Sequence, residues 1–289
     1  MLAGANRTGL KKRDMVTLKL DKPRGVLHSG EAVPDITHAR YWPSAALAAF
    51  VEHYWTVEWN LSAAVVRETL PHPVVHIVFE NGTAKIAGPT TKRFSTTLNG
   101  NGRVFGIKFH PGGFRPFIDM PVSIFADRVV DLDEVFGTAA QGLAGKALAH
   151  ADHRATIAVL EAFLHARKVS PEPTAALMAR IAARMAEDRA ITRIEQIAQE
   201  FAIGLRTLQR QFRDYVGVHP KWVIQRYRLH EAVARIDEGT AGDWTALALE
   251  LGYADQAHLI RDFKRLVGRT PAQYARQKPR NGGAAKANA

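Results

Sequence analysis

Arg206, Gln209 and Arg210 lie on one side of a short stretch whose other side is Leu208, Phe212 and Val216, and Gln256, Ala257, Ile260, Arg261 and Lys264 lie opposite Leu259, Phe263, Leu266 and Val267. A guanidinium can fork onto O6 and N7 of guanine, a carboxamide can pair bidentately with adenine, and small apolar groups such as Ala257 or Ile260 suit a thymine methyl. Arg213, Lys221, Arg226, Arg228, Lys264, Arg265 and Arg269 flank these sets, and cations of this kind can neutralise phosphates, which fixes affinity and register without reading sequence. Such a mixture suits the reading of base edges rather than bond cleavage.

The elements that must position these side chains occur twice. Leu208-x-Arg210-x-Phe212-x4-Gly217-x2-Pro220 recurs as Leu259-x-Arg261-x-Phe263-x4-Gly268-x2-Pro271, every matched position displaced by 51 residues. A repeat at fixed offset signals one supersecondary unit built twice. In the first copy Ile194, Ile197, Ala198 and Phe201 have helical spacing, Gly204 is expected to supply the turn, and a second helix sets Leu205, Leu208, Phe212 and Val216 inward. The second copy has Leu247, Ala248 and Leu251, a turn at Gly252-Tyr253, and then Leu259, Phe263, Leu266 and Val267 inward. Ile197-Ala198 matches Leu247-Ala248 at an offset of 50, so the second turn is expected to be one residue longer. The unit reads as a helix-turn-helix. A basic helical face is usually mere solvated surface, but a solvated face has no reason to recur in register beside the same turn and core.

On these residues the chain resembles the AraC/XylS family of bacterial transcription regulators. The likeness is carried by Arg206-Thr207-Leu208-Gln209-Arg210-Gln211-Phe212, by Leu251-Gly252-Tyr253-Ala254-Asp255-Gln256-Ala257-His258-Leu259-Ile260-Arg261-Asp262-Phe263, and by Gly268-Arg269-Thr270-Pro271-x2-Tyr274, within about residues 175 to 277. It implies one long joining helix, here from Pro220 to just before Gly239, and two recognition helices entering successive major-groove segments of double-stranded DNA. By position the base-reading residues would be Arg206, Gln209, Arg210, Gln256, Ala257, His258 and Arg261, with Arg213, Lys221, Arg226, Lys264, Arg265 and Arg269 on phosphates. The chain departs from the family where a serine-like helix start is usual: Gly204 or Leu205 stands in the first unit and Asp255 in the second. An aspartate still caps a helix well.

Charge is distributed to match. The 289 residues carry a formal net charge of +11. Residues 1–24 hold seven Lys/Arg against two Asp, residues 25–169 balance at thirteen against thirteen, and residues 170–289 hold nineteen against thirteen. A neutral middle has no electrostatic grip on nucleic acid. With no cysteine at all, disulfides, thiolate metal sites and cysteine nucleophiles are excluded, which also excludes the DNA-repair methyl acceptors that carry a similar segment. No signal peptide and no membrane span is expected, because Lys11-Lys12-Arg13 is followed by Asp14 and no apolar run is long enough. A cytoplasmic, nucleoid-associated protein is the expectation.

Ahead of the repeat the character changes. Met15 is an alternative initiator to Met1, with Val16–Leu20 as a short strand after it. Pro43–Val51 reads as a helix, followed by strands at His53–Trp59, Val74–Phe79, Lys85–Ala87, Phe94–Leu98 and Val104–Phe109, with turns at Asn81-Gly82, Gly88-Pro89 and Asn99-Gly100-Asn101-Gly102. Short strands with Gly-rich turns suggest an antiparallel barrel or sandwich. Gly106-Ile-Lys-Phe-His-Pro-Gly-Gly-Phe-Arg-Pro-Phe117 resembles a segment of the sensor-like domains of one AraC-type subgroup, which implies a β-rich domain, a cupin-like one among the options, that can bind a small effector. Aromatic residues concentrate here. Most should be core, and Trp55, Trp59, His76, Phe79 and Phe109 are the candidates for an effector pocket. His72, His76 and His110 invite a metal reading, but no closely spaced histidine pair or completing Glu accompanies them, so neither a metal nor another cofactor is assigned.

The resulting expectation is an α+β chain: a basic tail (1–24), a β-rich sensor-like domain (25–137), a helical connector (138–172), an all-α double helix-turn-helix domain (173–277) and a disordered tail (278–289). Pro171 and Pro173 mark the boundary. The helix at 154–167 is expected either to pack on its own domain or to pair two subunits. The class expected is a non-enzymatic, one-component DNA-binding regulator, with DNA, a small effector, RNA polymerase and a second copy as candidate partners. The competing class is a cupin-like enzyme carried on a DNA-binding domain, which would require converging titratable groups in the β-domain. A third reading gives that domain only oligomerisation.

Overall fold

The computed structural model describes residues 26–27 and 35–276. The strand expected at Val16–Leu20 and both tails lie outside the described residues. Seven strands form one antiparallel sheet: β1 (Val26–Leu27), β2 (Ile36–Tyr41), β3 (Val51–Thr69), β4 (His76–Glu80), β5 (Thr83–Ala87), β6 (Phe94–Phe109) and β7 (Val129–Asp131). Their order is β1-β3-β6-β4-β5-β7, with β2 paired beside β1 on β3. No pairing among the described strands joins the two ends, so the sheet is open.

Two long strands dominate it. β3 and β6 pair from Val51↔Phe109 to Thr69↔Phe94, with irregularities near both Val51 and Leu61. The turn expected at Asn99–Gly102 is therefore strand. Its glycines serve cross-strand packing instead: Trp55 faces Gly106 and Trp59 faces Gly102, and a Cβ on either glycine would overlap the indole ring. Trp59 also donates its ring N–H to the Asn99 carbonyl at 3.2 Å. The helix expected at Pro43–Val51 is likewise replaced. Residues 45–50 form hydrogen-bonded turns, with Ala48 N–H donating to Ser44 O at 3.0 Å, and Val51 enters β3 because its pairing with Phe109 outweighs local helical periodicity.

Alternation along the strands buries one face of the sheet. Tyr54, Ile77, Phe79, Ile86, Phe105, Ile107 and Phe109 form a core closed by α1 (Leu132–Phe136), α2 (Leu143–Leu148) and α3 (His153–His165). Ile157, Leu160, Phe163 and Leu164 place α3 on its own domain, and Glu161 accepts from Tyr54 Oη at 3.2 Å and from Ser44 N at 2.7 Å. Of the two placements expected for this helix, the intramolecular one is realised.

The C-terminal half is helical. α4 (Pro173–Glu187) begins on Pro173 and contributes Met178, Ile181 and Met185 to the core of the first repeat. Then come α5 (Ile194–Glu200), α6 (Leu205–Gln211) continued by a π-helical turn (Phe212–Val216), α7 (Pro220–Glu238), α8 (Trp244–Glu250), α9 (Gln256–Val267) and α10 (Pro271–Arg276). α7 is the expected joining helix. His219 caps it, Pro220 sits in its first turn, and Gly239 ends it in the left-handed region at φ 77°. Each repeat has its own core, and Leu27 and Leu70 of the β-domain join that of the second.

Candidate nucleic-acid interface

The first helix-turn-helix is α5 and α6. Gln196 accepts from the backbone N–H groups of Thr192 and Arg193 at 2.8 and 2.9 Å, fixing the start of α5. The residue that turns the chain is Ala202 at φ 50°, not Gly204, which has an ordinary φ of −64° and starts α6 without a side-chain cap. In the second unit Gly252 does the same at φ 71°. Ala202 and Gly252 are 50 residues apart whereas the helix starts Gly204 and Asp255 are 51 apart, so the extra residue lies between turn and recognition helix. Asp255 caps α9 by accepting from His258 N–H at 2.7 Å.

Each recognition helix buries one side. Leu208, Phe212 and Val216 are buried in the first unit, and Leu259, Phe263, Leu266 and Val267 in the second. Leu205, expected inward, is exposed because it occupies the first turn of α6. On the outer side Arg206, Arg210 and Arg213 are exposed, and with Gln209 they line an open depression of about 450 Å³ completed by Gly217, Val218 and His219. Ala257, Arg261, Lys264 and Arg265 are exposed on α9, and Lys221 at the start of α7. The other two candidates of the second unit are partly engaged. Gln256 accepts from Thr245 Oγ1 at 3.2 Å, while the His258 ring lies edge-on to Tyr253 and 3.7 Å from Asp262. Asp262 also holds Arg265 at 3.1 Å.

Three of the expected phosphate contacts are committed elsewhere. Arg226 is 1% exposed, with Nε donating to the Pro71 carbonyl and Nη2 to His72 Nδ1 at 2.8 Å. Burial lowers its pKa to about 10, so it remains a cation at neutral pH. Arg228 donates to the Thr192 carbonyl at 2.9 Å, tying α7 to the segment before α5. Arg269 pairs with Glu68 of β3, a carboxylate that also holds Arg93. A basic residue beside the recognition helices reads the same in the sequence whether DNA, its own half of the chain, as for Arg228, or the β-domain, as for Arg226 and Arg269, takes it up.

The β-domain reaches both repeats. Gly217 and Gly268, the matched glycines that end the two recognition segments at φ 86° and 84°, are two of the places where it makes contact. A Cβ on Gly217 would lie 2.7 Å from Pro89 Cγ and 3.1 Å from Val122 O, and one on Gly268 would lie 3.1 Å from Arg93 Cζ.

The proposed pocket residues do not share a cavity. Phe79 and Phe109 are fully buried in the core, whereas Trp55 and Trp59 pack on the opposite face, where Trp55 Nε1 donates to His76 Nδ1 at 3.1 Å. Among the described residues no group of three or more His, Asp or Glu is placed to hold a metal ion, and no helix is long and apolar enough to cross a membrane.

Comparison with known proteins agrees with the geometry of the C-terminal half. A family model described as a helix-turn-helix domain matches residues 197–277, and one described as a domain of unknown function, DUF6597, matches residues 39–131. The HTH-type transcriptional activator RhaS of Pectobacterium atrosepticum is 30% identical over 81 residues, 28% of this chain and 29% of that protein. RhaS of Escherichia fergusonii is 34% identical over 79 residues, 27% of this chain and 28% of the relative. A putative AraC-like transcription regulator of Streptomyces antibioticus is 30% identical over 81 residues, 28% of this chain and 26% of the relative. These matches span less than a third of the relatives' own length. ToxT of Vibrio cholerae, a solved structure, aligns over 83% of this chain and 98% of its own with 12% identity and a TM-score of 0.38. Residues 197–277 form a helix-turn-helix domain similar to that of AraC-like transcription regulators.

Proposed function

We propose that the chain is a one-component transcription regulator that binds double-stranded DNA through both recognition helices. The supporting observation is that a duplicated unit exposes Arg206 and Arg210 on one recognition helix and Ala257 and Arg261 on the other, beside their buried stripes. Arg206, Gln209, Arg210, Gln256, Ala257, His258 and Arg261 read bases. Arg213, Lys221, Lys264 and Arg265 contact phosphates. The role of the β-domain is control rather than catalysis: its core face is filled with side chains, and Trp55 and Trp59 on the opposite face are where a small effector would be recognised. RNA polymerase and a second copy of the chain are the protein partners this reading names, and the nucleoid is its place of action.

Selection of binding sites from random duplex DNA by the full chain tests it. A recovered motif with log affinity falling linearly against log salt is the expected result. Recovery of no motif would remove the assignment.

A further inference from the structure

Helix α7 joins the two repeats and also carries the most deeply buried charge among the described residues. Arg226 inserts into the β-domain with Nη2 on His72 Nδ1 at 2.8 Å and with no partner on Nη1. One turn further along, His230 lies with its ring centroid 5.3 Å from that of His72, and its Nε2 is buried without a partner. From the sheet, Lys108 of β6 and His76 of β4 face the same spot. Among the described residues the carboxylate that acts on this cluster is Glu52, and it is already held by Lys108 at 2.9 Å and by His53 at 3.4 Å. The contact between α7 and the sheet therefore concentrates two fixed cations and four imidazoles, His53 included, around a single, already engaged acid.

We propose that this contact is a proton-operated clasp: protonation of His72 and His230 releases α7, and with it the helix-turn-helix pair, from the β-domain. The geometry requires it of His72 first. Its Nδ1 accepts from a guanidinium, so that nitrogen must be unprotonated, and a proton there would replace a hydrogen bond by two cations in contact. His230 Nε2 is buried without a partner, and the Pro71 carbonyl, whose contact with this ring favours the charged form, is already held by Arg226. Burial, then Arg226, lowers the pKa of both rings well below the ordinary 6.5. A depressed histidine favours the docked state above the ordinary pKa and penalises it as the pH falls through that value. At one pH unit below the ordinary value each excluded proton shifts the docking equilibrium about tenfold, and two shift it about a hundredfold.

The consequence for DNA rests on the function proposed above, because release would free both recognition helices from the contacts at Gly217 and Gly268. The test reads domain separation alone, so it fails independently of that function. The chain has no cysteine, so Lys146→Cys on α2 and Glu238→Cys at the end of α7, both exposed, give a clean pair for spin labels in the full chain. The expected result is one distance at pH 7.5, a growing longer-distance population toward pH 5.5, and a slope of log(open/closed) against pH near two protons. In His72→Asn/His230→Gln, where an amide oxygen still accepts from Arg226 but takes no proton, the slope should fall to near zero. If that pair lost its fold by near-ultraviolet circular dichroism, His230→Gln alone should halve the slope. An unchanged distance in the parent between the two pH values, or equal opening in the variants, would overturn the clasp.

Discussion

The two helix-turn-helix units are built to one plan and differ where the recognition helix begins and ends. In the first, one residue separates the turning residue Ala202 from Gly204, the start of α6 has no side-chain cap, and the helix relaxes into a π turn after Gln211. In the second, two residues separate Gly252 from Asp255, the cap is made, and α9 runs unbroken from Gln256 to Val267. Their reading sides differ in the same sense. Arg206 and Arg210 have no ion pair among the described residues, whereas Gln256 and His258 are already engaged by Thr245, Tyr253 and Asp262. A less constrained helix with free side chains can adapt to bases; a capped helix with preset side chains supplies register. The first unit should therefore carry more of the sequence discrimination.

The largest expected effect separates reading from gripping. Arg210→Ala should weaken specific binding by about 1 to 3 kcal/mol and relax preference at defined base pairs, while Lys221→Ala should weaken specific and random DNA alike and reduce the salt slope by about one. Gln256→Ala should cost less than Arg210→Ala, since its carbonyl is already paired. Competition binding at two salt concentrations measures all three. Equal losses from Arg210→Ala and Lys221→Ala on specific and random duplexes would break the division of labour.

The next effect compares the matched glycines. Gly217→Ala combines a left-handed backbone with contact against Pro89 and the Val122 carbonyl, and should destabilise the chain by about 2 kcal/mol in denaturant unfolding. Gly268→Ala meets only the tip of Arg93, a side chain able to move, and should cost about 1 kcal/mol. A reversed order would show that the β-domain does not close on the first unit as tightly as on the second.

The smallest effect concerns the turn. Ala202 holds φ 50° where its counterpart is Gly252 at 71°. Ala202→Gly should raise stability by about 0.5 to 1 kcal/mol, because relief of the left-handed penalty exceeds the added freedom of the unfolded chain. Thermal unfolding would check it, and a loss of stability would contradict the matching of the two turns.

What was legible in the sequence follows from what is local. The repeat displayed both buried stripes, the joining helix from Pro220 to Glu238, and the one-residue difference between the turns, since each depends on residues a few positions apart. Asn99–Gly102 looked like a turn because its strand character comes from Trp59 and Asn60, about forty residues earlier in the chain. Arg226 and Arg269 looked like phosphate contacts for the same kind of reason. Their partners, Pro71, His72 and Glu68, belong to another domain, and a basic residue off the apolar stripe reads identically whether water, DNA or a second domain covers it. The aromatic residues expected to line a pocket alternate along strands, and alternation alone does not say that Trp55 and Phe79 occupy opposite faces.

The central claim is that both units act together on one DNA molecule. Footprinting the full chain on its selected site, at a concentration where it is monomeric, measures this directly. Two protected major-groove segments about one helical turn apart, roughly 34 Å, are predicted, with different sequences in the two segments because the outward residues differ. Protection of a single segment, or binding only to inverted repeats, would contradict it.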